Sequence, residues 1–242
     1  MGTKYRNFIY NPAHRLVFAY VPKVACTNWK CVLRALTGAP DWLDSARAHD
    51  RRRSGLQYLD QQTAPEAILN DSSVRKFACV RHPRARALSA YLNKIEHRLP
   101  GHRGAAFNDH FSRIVAEIDS FRQTCLDSDL YPAITFEVFL RWLEAGSYFT
   151  QDEHWRPQVD LLCLGHVRFD FIGRFETLAQ DADHILAQIK SPVPFPSPAA
   201  IKFAPSGTAG RLRSSYTPAC QALVARIYAR DFQAFGYECA PL

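Results

Sequence analysis

An apolar run, a polar loop and a helix-like stretch follow one another near the start of the chain, and this order constrains the fold most. The run covers residues 16–21, and the apolar spacing over residues 27–36 predicts a helix. The first backbone N–H groups of a helix have no intrahelical partner, and the helix dipole favours negative charge there. Lys23, Thr27 and Asn28 add a cation and two short polar side chains. The sequence therefore predicts a strand, an anion-binding loop and a helix.

A second strand, turn and helix follow later in the chain. We predict a strand over residues 76–80, of which residues 77–80 are apolar, and Pro83 is suited to open a helix that we predict over residues 84–95. Neither apolar run alternates with polar residues, which is typical of parallel strands covered by helices on both faces. The first loop lacks the Gly-x-x-x-x-Gly-Lys-Ser/Thr pattern of ATPases and GTPases. We therefore expect a different phosphate-bearing donor.

The remaining elements are predicted from shorter patterns. They are a short helix from Pro65, helices over residues 136–143 and 178–189, a strand over residues 169–173, and a last helix that Thr217 caps, Pro218 starts and residue 235 ends. Residues 100–132 carry charge with little periodicity outside residues 107–121. We interpret this segment as an insertion that faces the second substrate, the acceptor of the transferred group.

Four segments of the chain carry motifs in a fixed order. Residues 22–30 read Pro-Lys-Val-Ala-Cys-Thr-Asn-Trp-Lys, residues 80–94 begin Val-Arg-His-Pro, residues 153–178 begin Glu-His-Trp-Arg-Pro-Gln, and residues 228–237 end Phe-Gly-Tyr. Together they resemble the Golgi carbohydrate sulfotransferases that modify chondroitin, dermatan and related glycans. The first segment is similar to the 5′-phosphosulfate loop of that family, and the second resembles its 3′-phosphate motif. The resemblance spans nearly the whole chain.

This resemblance implies a single α/β domain over residues 1–242, with a central parallel sheet flanked by helices in a P-loop-like sulfotransferase fold. A chain of 242 residues is long enough to bury one such core. The implied reaction moves a sulfuryl group from 3′-phosphoadenosine 5′-phosphosulfate to a hydroxyl of a carbohydrate or glycan by in-line displacement, without a catalytic metal. Such a protein must align the hydroxyl, stabilise the leaving phosphate and remove a proton.

The resemblance also assigns the residues that bind the donor. They are Pro22, Lys23, Val24, Ala25, Cys26, Thr27, Asn28, Trp29, Arg81, Ser89, Arg174, Arg211 and Arg213. Lys23 is expected to stabilise charge on the leaving phosphate; otherwise it is a solvated lysine at a strand end. Thr27 and Asn28 either bond the 5′-phosphate or cap the helix, two roles that are compatible. Trp29 either flanks the adenine or packs the helix into the core.

The 3′-phosphate is expected at Arg81 and Ser89, which lie eight residues apart. An arginine fork suits a phosphate better than a lysine does. The alternatives are a salt bridge for Arg81 and a packing role for Ser89. Arg211 and Arg213 lie in a predicted loop over residues 207–215, where they either close over the same phosphate or remain solvated.

His154 is the candidate proton acceptor, because a histidine titrates near neutral pH and a neighbouring carboxylate can orient it. Glu153 and Asp152 are the alternative bases, and a structural histidine is the other possibility. His82 is expected to fix the turn before the helix. Three histidines expected to contact solvent or substrate are His97, His102 and His110, and Glu176 either belongs to the nucleotide segment or caps the helix that follows it.

Charge and cysteine usage argue against other classes of protein. The formal net charge is +7, but aromatic residues do not interleave with basic residues such as Arg51, Arg52 and Arg53. An anionic donor and acidic glycans require a basic cleft in any case, so we predict no nucleic-acid partner. The seven cysteines show neither a disulfide framework nor zinc-ligand spacing, so no metal site is predicted.

No apolar run is long enough to span a membrane, and no signal-peptide core is present, so we predict no integral membrane segment. Here the sequence departs from the Golgi enzymes, which have an N-terminal anchor. Either the chain is a cytoplasmic member of the family, bacterial in origin, or an anchor was removed. The start at Met1, with a strand soon after it, favours the first. The acceptor and the oligomeric state are left open.

Two other functions remain as alternatives. A nucleotide-dependent kinase of a small molecule would need Mg²⁺ and an acidic ligand at the end of the second strand, where this chain has Arg81. A nucleotide- or glycan-binding module without turnover would not need Lys23. The unsettled identity of the base keeps that second alternative open.

Overall fold

The computed structural model describes residues 4–100, 110–146, 152–202 and 207–239. It divides the chain into two compact units, each built from two stretches. The sheet unit comprises residues 1–81 and 158–205, and the helical unit comprises residues 82–157 and 206–242. A single domain over residues 1–242 stays a prediction.

The sheet unit contains a five-stranded sheet whose order is β3-β1-β2-β4-β5. Its strands are β1 Phe8–Asn11, β2 Leu16–Ala19, β3 Gln57–Tyr58, β4 Arg75–Val80 and β5 Phe171–Arg174. β2, β4 and β5 are parallel, as predicted, whereas β1 runs antiparallel to both β2 and β3. Residues 12–15, which join β1 to β2, are too few for the crossover that parallel neighbours require. The sheet is therefore mixed, with a parallel part that carries the predicted loops.

The helices account for most of the remaining regular structure. They are α1 Cys26–Leu36, α2 Ser45–His49, α3 Pro65–Asn70, α4 Pro83–Ala90, α5 His110–Cys125, α6 Phe136–Ala145, α7 Gln158–Leu161, α8 Leu178–Gln188, α9 Thr208–Ser215, α10 Pro218–Ile227 and α11 Ala229–Phe235. The α/β class with flanking helices is confirmed. The predicted start at Pro65 is confirmed, and so is the cap at Thr217, whose hydroxyl accepts from the amide of Cys220.

Three predicted elements differ from the structure. The helix predicted over residues 84–95 is α-helical only to Ala90 and continues as a π-helix over Tyr91–Ile95. The loop predicted over residues 207–215 is wrong, because residues 208–215 form α9. The last helix is interrupted at Tyr228, whose backbone leaves the helical region at φ −111° and ψ 24°. π-turns inside helices often occur at functional sites.

The helical unit has a core rich in aromatic side chains. Trp155, which is 1% exposed, lies 5.7 Å from Phe139 and 6.0 Å from Trp142 between ring centroids, and both contacts are edge-to-face. α5 falls in the segment that we interpreted as an insertion, and it buries Ile114 and Ile118 against this core. The buried core next to residue 154 gives a rigid support to the short segment that contains this residue.

Candidate functional site

The loop between β2 and α1, residues 20–25, is bent by two residues with positive φ. Lys23 has φ 72° and Ala25 has φ 49°, a region that L-residues other than glycine seldom occupy and that clusters at functional sites. The amide of Trp29 donates to the carbonyl of Ala25 at 3.1 Å, the i to i−4 bond that begins α1. The amides before it in α1 belong to Cys26, Thr27 and Asn28. Helix geometry gives these amides no intrahelical acceptor, so they can bind an anion.

The side chains of the first helical turn are tied to other parts of the sheet unit. The hydroxyl of Thr27 is 2.8 Å from Nε2 of His49, and Nδ2 of Asn28 donates to the carbonyl of Pro196 at 2.8 Å. Neither side chain caps α1, since Ala25 is the N-cap residue and makes no side-chain cap bond. Nδ2 of Asn28 thus has one bond within the protein, and helix geometry leaves the backbone amide of Asn28 to a ligand.

Trp29 packs α1 into the core of the sheet unit. It is 1% exposed, stacks on Phe18 at a centroid distance of 4.6 Å and lies 4.8 Å from Phe195. Of the two roles that the sequence left open, the packing role is the one that the structure shows.

Arg81 follows β4 directly, and its backbone and side chain are both held in place. The side-chain amide of Gln158, which is fully buried, accepts from the backbone N–H of Arg81 at 2.9 Å and donates to its carbonyl at 2.8 Å. Nη1 of Arg81 donates to the carbonyl of Lys23 at 3.1 Å, and the guanidinium lies 4.3 Å from the ring centre of Phe175. The structure thus brings the cation of Arg81 to the β2–α1 loop.

Gln158 and Phe175 are site residues whose contacts with Arg81 were not predicted from the sequence. Both lie inside the third motif segment, and their positions in it were the only available signal. The contact between Gln158 and Arg81 joins residues 77 positions apart, and no local pattern predicts such a pairing.

Arg174 ends β5, beside Val80 in the parallel register. Its side chain is exposed, and its amide donates to Oδ2 of Asp181 at 2.6 Å. A Cβ on Gly173 would lie 3.0 Å from Cβ of Asp181 and 3.2 Å from Sγ of Cys79, so a larger residue there would require these neighbours to move by a few tenths of an ångström. Oδ2 of Asp181 also accepts from the hydroxyl of Thr177, the N-cap residue of α8, at 2.7 Å, so Asp181 joins the end of β5 to the start of α8.

Three further predicted donor residues belong to the helical unit. Ser89, in α4, is 2% exposed. Arg211 and Arg213 lie on α9 and are exposed, and Nη1 and Nη2 of Arg211 donate to the carboxylate of Glu96 at 2.6 and 2.8 Å. Glu96 therefore already neutralises much of the charge of Arg211. Because Ser89 lies in the helical unit and Arg81 in the sheet unit, their joint hold on a 3′-phosphate stays a prediction.

His154 belongs to a short loop of the helical unit, residues 152–156, which we call the histidine loop. Oδ1 of Asp152 is 2.7 Å from Nδ1 of His154 and accepts from its backbone N–H at 2.8 Å, while Oδ2 is 3.0 Å from Nε2 of His110. Burial alone raises the pKa of Asp152, but the bonds from His154 and His110 outweigh it and lower that pKa to about 2. At neutral pH Asp152 is therefore an acceptor only, and Nδ1 of His154 donates to it.

This bond leaves the lone pair of the neutral imidazole on Nε2. Burial lowers the pKa of His154 and Lys94 lowers it further, while the bond to Asp152 raises it in part. The histidine is therefore neutral near pH 7, with a defined tautomer and one nitrogen able to accept a proton. Asp152, with its low pKa, orients the ring and is itself a weak base.

The other histidines have the following places. His82 is the N-cap of α4, and its Nδ1 accepts from the amide of Arg84 at 3.2 Å, which confirms its structural role. His97 and His110 are exposed. His102 lies outside the described residues.

Within the described ranges, no helix is long and apolar enough to cross a membrane, and no group of three or more His, Cys, Asp or Glu side chains could hold a metal ion. The cytoplasmic location stays a prediction.

Comparison with known proteins gives a consistent family. The sulfotransferase family model matches residues 6–238. Carbohydrate sulfotransferase 14 of Homo sapiens is 31% identical over 97% of this chain, carbohydrate sulfotransferase 11 of Rattus norvegicus 27% over 96%, and carbohydrate sulfotransferase 10 of Xenopus laevis 28% over 93%. The matches cover 61%, 67% and 65% of those relatives, and only 50% of the Mus musculus carbohydrate sulfotransferase 14. No solved structure matches.

Proposed function

We propose that this chain, which belongs to the sulfotransferase family, transfers a sulfuryl group from 3′-phosphoadenosine 5′-phosphosulfate to a hydroxyl of a carbohydrate or glycan. The observation that carries the proposal is the β2–α1 loop, with its first-turn amides and Lys23, held beside the anchored guanidinium of Arg81. Amides at a helix start and a fixed arginine suit a ligand that carries two phosphate groups.

The residues of the sheet unit fit the donor's phosphates. The amides of Cys26, Thr27 and Asn28 would bond the 5′-phosphate, and Lys23 would neutralise the charge that grows on it as the sulfuryl group departs. Because Lys23 has positive φ, its backbone is held in a conformation that ordinary loops avoid, which supports a preorganised role. Arg81 would bind the 3′-phosphate through its planar fork, together with Ser89.

The histidine loop fits the removal of the proton. In the proposed reaction Nε2 of His154 accepts the proton of the acceptor hydroxyl, and the oxygen attacks sulfur. The bond between sulfur and the phosphate oxygen breaks in line, and 3′-phosphoadenosine 5′-phosphate leaves. Asp152 stabilises the imidazolium that forms, since its carboxylate bonds Nδ1 at 2.7 Å. Arg211 and Arg213, which lie near the C-terminal end of the sequence, would add cationic contacts to the donor. Glu153 is the alternative base.

The acceptor is proposed from the printed names of the relatives, which are carbohydrate sulfotransferases. The test is incubation with ³⁵S-labelled donor and a panel of unsulfated chondroitin, desulfated dermatan, a glycolipid and a phenol. We expect label on a glycan and not on the phenol. Transfer to none of them, with the donor bound, would favour a binding module without turnover.

Donor identity is tested by calorimetry without Mg²⁺. A charged hydrogen bond contributes about 1.5–3 kcal/mol, so 3′-phosphoadenosine 5′-phosphate should bind at least about tenfold more tightly than AMP. Equal affinities would remove the argument for two phosphate sites. A kinase of a small molecule has no support from the family to which the chain belongs.

A further inference from the structure

Arg86 lies inside the helical unit and holds the histidine loop by its backbone. It is on α4, is 1% exposed, and uses two guanidinium nitrogens for two carbonyls of the loop. Nη2 donates to the carbonyl of Glu153 and Nη1 to that of Arg156, both at 2.8 Å. These two carbonyls flank His154, so one side chain fixes the chain on both sides of it.

Tyr228 supplies a third buried bond to the same loop. Its hydroxyl, on a side chain 1% exposed, donates to the carbonyl of Trp155 at 2.8 Å. Tyr228 is the residue at which α10 gives way to α11. The histidine loop is also closed by its own bond from the amide of Arg156 to the carbonyl of Asp152 at 3.1 Å.

The burial of Arg86 calls for an explanation, because a buried cation is costly unless it is paired and fully hydrogen-bonded. Burial lowers the pKa of Arg86, while Tyr228 and the fully buried Asp231 oppose that shift. An apolar side chain of similar size would fill the same space without this cost. What it would not do is bond two carbonyls three residues apart, which the guanidinium does with two nitrogens in a fixed plane.

We infer that Arg86 and Tyr228 are positioning residues that fix the histidine loop, and with it the imidazole of His154 against Asp152. The inference rests on the proposed function, in which His154 accepts the proton. Because the carbonyls on both sides of His154 are hydrogen-bonded, its backbone is fixed and the imidazole can move only by rotation about its side-chain torsions. The bond from Nδ1 to Asp152 restricts that rotation. A displacement of about 1 Å at a reacting group can cost about a hundredfold in rate.

The charged and titratable groups around His154 determine what a looser loop would change. Asp152 and Glu153 lie on its own loop, Lys94 lies on the π-helix after α4, and His110 begins α5. Because burial is the main cause that lowers the pKa of His154, entry of water into a loosened loop should raise that pKa towards its ordinary value.

Two tyrosines provide a matched test. Tyr228→Phe removes the hydroxyl bond to the loop, whereas Tyr216→Phe removes an equally short buried bond, from the Tyr216 hydroxyl to the carbonyl of Arg84 at 2.8 Å. We expect both variants to lose a similar amount in melting temperature. Only Tyr228→Phe should lower kcat, by about tenfold with KM unchanged, and only Tyr228→Phe should move the NMR titration of His154 to higher pH. The His154→Gln variant assigns the resonance.

Two arginines of α4 provide a second pair. Arg86→Lys keeps the charge but replaces the rigid, planar fork by one ammonium nitrogen on a flexible stem, so the two carbonyls lose the matched pair of Nη donors that fixes their positions. Arg84→Lys is the control, because Arg84 is 3% exposed and donates to the carbonyl of Cys239, away from the loop. Arg86→Lys should lower kcat by about tenfold to a hundredfold and Arg84→Lys by less than about twofold. If Arg86→Lys does not fold, the tyrosine pair decides.

The outcomes separate this inference from the proposed function. If the two tyrosine variants share the same kcat and the same His154 titration while His154→Ala loses turnover, the positioning role is wrong and the proposed base stands. If His154→Ala retains turnover, the proposed base is wrong. The titration, measured without donor or acceptor, then still tests the hold on the loop: a shift in Tyr228→Phe alone supports it, and no shift overturns it.

Discussion

The β2–α1 loop and the histidine loop are built in opposite ways. In the first, positive φ at Lys23 and Ala25 and the start of α1 arise within one short stretch of chain. In the second, a stretch without regular structure is held by side chains from residues 86 and 228, which are far away in the sequence.

The difference concerns what each loop offers to a ligand. The first offers backbone amides, which persist when a side chain is changed. The second offers one imidazole, whose tautomer and position depend on several long-range bonds. We therefore expect side-chain variants of the β2–α1 loop to lower kcat with little change in donor affinity. Variants near the histidine loop should change kcat and local stability together.

The largest effect is expected for Lys23→Ala. Removing a group that stabilises charge only as the donor bond breaks should lower kcat by about a hundredfold to a thousandfold. Affinity for 3′-phosphoadenosine 5′-phosphate should fall much less, because the first-turn amides remain. Calorimetry and single-turnover rates measure the two quantities. Lys4→Ala, an exposed lysine of the same unit, is the charge-matched control. Unchanged turnover at saturating donor would show that the loop does not act on the leaving group.

His154→Ala is expected to have the next largest effect. Positioned proton transfer contributes about a hundredfold or more, so kcat should fall by that factor while donor affinity stays the same. His97→Ala, at an exposed histidine of the same unit, should change little. A variant that melts normally and retains the wild-type rate would move the search for the base to Glu153.

The part of the molecule that the sequence predicted well is the part built locally. β2, α1 and β4 were found within one or two residues because each is a continuous apolar or periodic run. Thr217 and Pro65 marked helix starts because capping and proline geometry act within a few residues. The assignment of residues 22–29 to the donor comes instead from the family resemblance, and it stays a prediction.

The part that the sequence did not predict depends on tertiary contacts. β1 has four residues and gains its partners only from β2 and β3. α9 contains Gly210 and few apolar residues, and it carries the ion pair from Arg211 to Glu96, 115 residues away. Hydrogen bonds also join distant positions between Gln158 and Arg81 and between Arg86 and the histidine loop.

The pH dependence of the reaction tests the lowered pKa of His154 in the histidine loop. Since burial lowers the pKa of His154, the acid limb of kcat/KM should have its midpoint below about 6.5. Asp152→Asn removes the carboxylate that raises this pKa, so the limb should move to still lower pH as kcat falls. Rates from pH 4.5 to 8 measure both. A limb above 6.5 in the wild type would contradict the buried, neutral histidine.

The free energy of unfolding should also depend on the protonation of His154 and Asp152, each in its own pH window. Between the lowered pKa of folded His154 and about 6.5, the unfolded chain binds more protons, so stability rises with pH through that window. Asp152 contributes stability that is complete above its unfolded pKa of about 3.9 and is lost as pH falls towards about 2. Urea unfolding of wild type and His154→Gln between pH 5 and 7 separates the first contribution. Identical pH slopes in both would contradict it.

The smallest effect is expected for Ala25→Gly, and it tests whether the first loop is strained. Ala25 is the N-cap of α1 in the left-handed region, with φ 49° and ψ 31° and no side-chain cap bond. That conformation costs an alanine about 1–2 kcal/mol, whereas glycine adopts it freely but loses about 0.5–1 kcal/mol more in chain entropy. The variant should therefore gain up to about 1 kcal/mol, or about 2–4 °C in Tm, with donor affinity unchanged. Ala46→Gly, in the exposed part of α2, is the control and should lose stability, because its helical backbone has no strain to relieve. If both variants lose the same Tm, the bend at residue 25 carries no strain, and the preorganisation of the loop must come from the contacts of Lys23 and Arg81 instead.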